Sequence, residues 1–163
     1  MKRRKLFIAL FAMLTLLLSS QAALAGIKVS NDDKPVFISS HMMGGEVFRQ
    51  PNGNSSLSGI ATGFAGERFP LQVRFKTLTT FVATARYESP ISTIILTNYS
   101  GKDTLAKFDF NMFLARPGAI NTQIVDWKIS FPAEGFYAFN IFVDGTLVGY
   151  YPFYVWTNGI TIK

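Results

Sequence analysis

Apolar and polar residues alternate with a period of two along much of the chain, a period that predicts strands with one buried and one wet face. From Phe69 to Lys76, the residues Phe69, Leu71, Val73 and Phe75 fall on one side and Pro70, Gln72, Arg74 and Lys76 on the other. Leu105–Ala115 places Ala106, Phe108, Phe110, Met112 and Leu114 together, and Ile124–Phe131 sets Val125, Trp127, Ile129 and Phe131 against Asp126, Lys128 and Ser130. Less regular apolar runs predict strands at Pro35–Met43, Glu46–Gln50, Gly59–Phe64, Phe81–Tyr87 and Thr93–Asn98. Pro51–Ser58, Ser100–Asp103, Arg116–Gly118 and Pro132–Gly135 are dense in turn formers and read as connections. Past residue 25 no apolar pattern holds the 3.6-residue period of a helix.

The strongest local signal is a hairpin. Phe136–Val143 and Thr146–Val155 flank Asp144-Gly145, and this dipeptide suits a two-residue type I′ turn because both residues tolerate positive φ. Pairing outward from Val143 and Thr146 without interruption puts Val143, Thr146, Ile141, Val148, Phe139, Tyr150 and Tyr137 on one face. The opposite face then holds Phe142, Leu147, Asn140, Gly149, Ala138, Tyr151, Phe136 and Phe153. The first is the expected core face. The second is unusually apolar for a wet surface.

The run Phe131-Pro132-Ala133-Glu134-Gly135-Phe136-Tyr137, the Val143-Asp144-Gly145 turn and Pro152-Phe153-Tyr154-Val155 resemble the last strands of immunoglobulin-like sandwiches found in small exported bacterial proteins. The resemblance implies an antiparallel immunoglobulin-like β-sandwich of about eight to ten strands. The Cys…Trp…Cys pattern of antibody domains is absent, so only the architecture carries over, and no function comes with it. An outer-membrane barrel is the structural rival, but its spanning strands need roughly 9–11 residues. The two apolar hairpin faces also do not match its polar interior.

Composition changes the picture at the N-terminus. Lys2-Arg3-Arg4-Lys5, the apolar run Leu6–Leu18 and Ala23-Leu24-Ala25 read as a cleaved signal peptide over residues 1–25. A single domain is expected over residues 26–163. Four of the 16 basic residues lie in the leader, leaving 12 against 10 acidic ones, so the whole-chain charge of +6 falls to +2. That balance predicts no nucleic-acid partner. The chain has no cysteine, so no disulfide and no lipidated cysteine is expected, and core stability falls to its many aromatic residues. No apolar run after the leader reaches membrane-spanning length, and export, most readily to the periplasm, is the expected destination.

Candidate chemistry is sparse. His41 is the sole histidine. It lacks a G-x-S-x-G elbow or a specified acid partner, so a satisfied or exposed loop histidine is expected rather than a general base beside a serine. A lone histidine without thiolates makes no zinc site. Met42-Met43 with Met112 is a conceivable soft-metal set, but neighbouring strand residues point to opposite faces, which favours core filling. Asp32-Asp33 lacks the spacing of a calcium loop. Asn54-Ser55-Ser56 and Asn98-Tyr99-Ser100 match the glycosylation sequon but are expected to be bare. No catalytic residue, metal or cofactor is indicated.

The function expected from these patterns is an exported, non-enzymatic protein-binding or assembly module. Its contact residues, for a protein partner or self-association, are Phe136, Phe142, Leu147 and Tyr151 on the second hairpin face. A carbohydrate-binding sandwich is one alternative, with Trp156 as the exposed platform and Trp127 buried. A fimbrial or surface-assembly subunit is the other, with the polar arm Gly26–Lys34 as the only donor strand.

Overall fold

The computed structural model describes residues 35–50 and 55–158. The expected leader, the arm Gly26–Lys34, the Asp32-Asp33 pair and Asn54 lie outside the described residues. Ten strands run through the rest: β1 Val36–Gly44, β2 Glu46–Arg49, β3 Ser55–Ser58, β4 Gly63–Gly66, β5 Leu71–Ala83, β6 Ile91–Asn98, β7 Thr104–Asn111, β8 Ile120–Phe131, β9 Gly135–Val143 and β10 Thr146–Thr157.

Two of the sheets face each other, one ordered β1-β5-β8 and the other β4-β10-β9-β6-β7. Every pairing is antiparallel except β4 with β10, which is parallel. In immunoglobulin letters β1, β5 and β8 take the places of A, B and E, and β10, β9 and β6 those of G, F and C, with β7 as C′. At the start of β9 the Tyr137 hydroxyl donates to the Ala133 carbonyl at 2.7 Å, the tyrosine corner of such sandwiches. The two open sheets rule out a closed barrel for the described residues. No helix among them is long and apolar enough to cross a membrane.

The core lies between the sheets and is dominated by rings. Phe139 on β9 meets Trp127 at 5.2 Å, Phe75 at 6.2 Å and Phe153 at 5.3 Å between centroids. Trp127 is 1% exposed, and its indole N–H donates to the Thr77 hydroxyl at 2.8 Å, so its polar edge is satisfied inside the core. Val125, Ile129 and Phe131 are buried alongside it, as their alternation on β8 predicts.

Three expectations need correction. The runs Phe69–Lys76 and Phe81–Tyr87 are joined by a single strand, Leu71–Ala83, because Thr77 and Thr79 face inward between Phe75 and Phe81 and keep the alternation going with small polar residues, and the strand ends before Thr84. The expected loop Pro51–Ser58 ends in a strand, Ser55–Ser58, which pairs with β2. That β2–β3 hairpin folds back on the outer face of the three-stranded sheet, where Glu46 pairs with Lys76 at 3.0 Å and Leu78 is buried. The uninterrupted register of the C-terminal hairpin is the third. Asp144 and Gly145 do adopt positive φ, 45° and 76°, and Val143 does pair with Thr146. A β-bulge at Val148 then shifts β10 by one residue, so Gly149 pairs with Ile141, Tyr150 with Asn140 and Tyr151 with Phe139.

Candidate functional site

The one-residue shift exchanges side chains between the faces of β10. Tyr151 and Phe153 turn inward, and Tyr150 and Tyr154 turn outward. Of the four expected contact residues, Phe136, Phe142 and Leu147 share the outer face of the five-stranded sheet. Phe142 pairs with Leu147, and Phe136 pairs with Tyr154. Tyr151 does not join them. It packs against the core beside Phe139.

What the register brings to the outer face instead is a row of rings. Tyr99, just past β6, lies 5.8 Å from Phe136; Phe136 lies 4.7 Å from Tyr154; and Tyr154 lies 6.2 Å from Trp156. The backbone N–H of Tyr99 donates to the Phe136 carbonyl at 2.9 Å, which fastens the turn after β6 to the start of β9. Tyr99, Phe136 and Trp156 are 65%, 55% and 38% exposed. Ala138 and Thr97, on the same face, are buried, as short residues are when long neighbours lean across them.

Polar groups border the row. Glu134 accepts from the Tyr154 hydroxyl at 3.0 Å and from the backbone N–H and hydroxyl of Thr157 at 3.1 and 3.0 Å. These bonds, led by the Thr157 N–H, hold the carboxyl below its ordinary pKa, and the same carboxylate raises the Tyr154 phenol. The Asn140 amide donates to Thr97 at 3.0 Å near the middle of the face. Sequence reasoning missed Tyr99, Tyr150 and Tyr154 as members of this surface. The one signal for the shift is Gly149 inside a strand, where glycine often marks a bulge.

A second constellation lies at the edge of the sandwich. β1 carries its own bulge at Ser39, after which Ser40 and Met42 face outward and His41 and Met43 inward. Met42 and Met43 therefore point to opposite sides, and Met43 and Met112 are buried in the core. His41 is neither exposed nor in a loop. Its ring stacks on Tyr151 at 4.5 Å and tilts against Phe139 at 5.1 Å. Nδ1 lies 2.8 Å from the Thr79 hydroxyl, while Nε2 is buried without a partner among the described residues. Burial pushes the imidazole pKa down to about 4. An imidazole beside a hydroxyl is the contact of a nucleophile–base pair. Thr79, however, is wholly buried, and neither ring nitrogen meets a carboxylate among the described residues.

His41 lines a cavity of about 270 Å³ between β1, the segment 60–62 and β10. A wider groove, about 760 Å³, runs between Arg49 and Ser56 on the β2–β3 hairpin and Thr80 and Thr122 on the sheet beneath. Among the described residues no group of three or more histidine or acidic side chains is placed to hold a metal ion.

Strand order, tyrosine corner and exposed rings define an immunoglobulin-like β-sandwich with an aromatic outer face. The chain belongs to DUF6941, a family of unknown function, whose model matches residues 43–156. Comparison with curated proteins gave no match. Among solved structures it is similar to a Pseudomonas fluorescens alkylpurine DNA glycosylase, AlkC, solved bound to DNA containing an abasic-site analogue. The identity there is 14% over 74% of this chain, with a TM-score of 0.45, and the chain spans only 30% of that protein. It is also similar to an immunoglobulin-like protein of Pseudomonas aeruginosa, with 17% identity, 77% of this chain and 99% of that one covered, and a TM-score of 0.39. A third is a CARDB domain from Pyrococcus furiosus solved with di-metal ions, with 11% identity, 75% and 96% coverage, and a TM-score of 0.37.

Proposed function

We propose that this protein is an exported, non-enzymatic binding module that offers the outer face of its five-stranded sheet to a protein partner. The carrying observation is the row Tyr99, Phe136, Tyr154 and Trp156, three of whose members stay substantially exposed. Large exposed apolar patches mark contact sites, and tyrosine and tryptophan supply most interface energy for little lost side-chain freedom. The polar border of Glu134, Thr157 and the tyrosine hydroxyls supplies the hydrogen-bonding rim that such interfaces carry. The basic, apolar and small-x-small segments of residues 1–25 support export, with the periplasm as the expected compartment.

The test is affinity capture from the native envelope with the tagged protein and a Phe136→Ser/Trp156→Ser variant. These two side chains are chosen over Phe142 and Leu147, which are half-buried against their neighbours. The variant should stay folded and lose at least about tenfold of the captured partner, the scale of one interface hot spot. Equal capture by both proteins would remove this face from the function.

One observation favours a second reading, glycan binding. The rings of Tyr154 and Trp156 lie within 15° of parallel on the same side of β10, and two such flat faces suit the C–H faces of adjacent sugars. Trp127 is buried, so a fluorescence change on ligand addition would report Trp156. No change across a panel of glycans counts against this reading.

A further inference from the structure

We propose that the cavity beside His41 is a binding site for a small uncharged aromatic molecule bearing one hydroxyl, a ligand of the phenol class. This site opens at the sandwich edge and not on the outer aromatic face, so the two readings stand or fall separately.

The chemistry follows from the lining. Phe139, Phe153 and Tyr151 supply aromatic walls, and Met43, on the same face of β1 as His41, supplies a flexible thioether that adapts to an irregular guest. Not one lining residue carries a formal charge at neutral pH, because burial keeps the imidazole neutral, so a charged guest would find no counter-ion. The volume, about 270 Å³, exceeds the roughly 150 Å³ of an engineered apolar cavity that binds benzene, so one substituted ring fits.

The orphaned imidazole nitrogen supplies the polar preference. Nδ1 is occupied on Thr79 of β5, which leaves Nε2 as the unpartnered nitrogen of a ring that lines the cavity. A buried nitrogen without a partner costs about 1–3 kcal/mol, which a guest that bonds it recovers. Whether Nε2 donates or accepts depends on the tautomer fixed by Thr79, and a hydroxyl serves either case because it does both. Nε2 is closed off from water, so the guest reaches it by displacing a lining side chain.

The single histidine makes the test clean. In the protein without a histidine tag, long-range ¹H–¹⁵N spectra show one imidazole, which is followed at pH 7 while phenol or benzene is added. Phenol should shift the Nε2 resonance saturably and bind about tenfold tighter than benzene, the ratio expected for one buried hydrogen bond. His41→Phe keeps a ring for Tyr151 to stack on and should bind the two equally. Thr62→Trp, at an exposed lining position, should plug the cavity and abolish both. If His41→Phe does not fold, the phenol–benzene contrast in the natural protein and the Thr62→Trp plug decide the matter. Absence of a saturable phenol shift, or equal affinity for phenol and benzene in the natural protein, would overturn the proposal.

Discussion

His41 shows how much a single side chain in a core can report. Its usual pKa of 6.5 is lowered to about 4 because burial disfavours the charged ring. Between those values the unfolded chain binds a proton that the folded protein refuses. Stability from this residue is therefore complete above pH 6.5, declines as pH falls toward 4, and reaches a loss on the order of 3 kcal/mol there. Urea midpoints at pH 7, 5.5 and 4 should show this decline in the natural protein and a much flatter profile in His41→Phe. Carboxylates such as Asp126 and Glu134, whose pKa values are lowered, act in the same direction only at lower pH, so the difference between the two profiles isolates the imidazole. At this scale the sequence was a mixed guide. Trp127 on an alternating face reads correctly as buried and Trp156 as exposed. The stretch Ser39-Ser40-His41-Met42-Met43 has no alternation to say which way its histidine points.

Strands follow from alternation, while their faces depend on irregularities that alternation does not show. Most predicted strands appear within a few residues of their expected bounds, because Val, Ile, Phe and Thr patterns set the pleat directly. Two bulges then decide the interior. Without the one at Ser39, Ser40 and Met42 would face the core in place of His41 and Met43. Without the one at Val148, Tyr151 would lie outside with Phe136. The His41–Tyr151 stack is thus the joint product of two one-residue insertions in strands from opposite sheets. Gly149 makes the second one possible, since a Cβ there would sit 2.6 Å from Ile38 Cδ1 and 2.7 Å from Tyr151 Cε2. Gly149→Val should therefore cost about 1–3 kcal/mol, the usual price of overpacking. It should also move the His41 imidazole resonances as the tyrosine ring is displaced. An unchanged urea midpoint together with unchanged resonances would show that the bulge forms without the glycine.

Across the whole molecule, β9 passes from core to exposed surface within four residues. Phe139 is wholly buried where the two sheets meet and touches rings from β1, β5, β8 and β10. Phe136 faces the other way and is more than half exposed among the outer rings. Apart from the hairpin at Asp144-Gly145, the pairing of strands into sheets, including the parallel contact of β4 with β10, has no local signature in the chain, because it is set by which faces the core rings can share. Since those rings tie both sheets into one core, unfolding should be a single cooperative event in which Trp127 fluorescence and far-UV circular dichroism change together. Phe139→Ala should then lower stability by about 3–5 kcal/mol, the cost of a phenyl-sized cavity. Phe136→Ala should stay within about 0.5 kcal/mol, as exposed substitutions do, while weakening capture of the partner. Paired urea titrations and capture assays on the two variants measure both quantities. A large stability loss in Phe136→Ala would mean that the outer rings form a second core layer, and the exposed face would no longer be the surface that a partner reads.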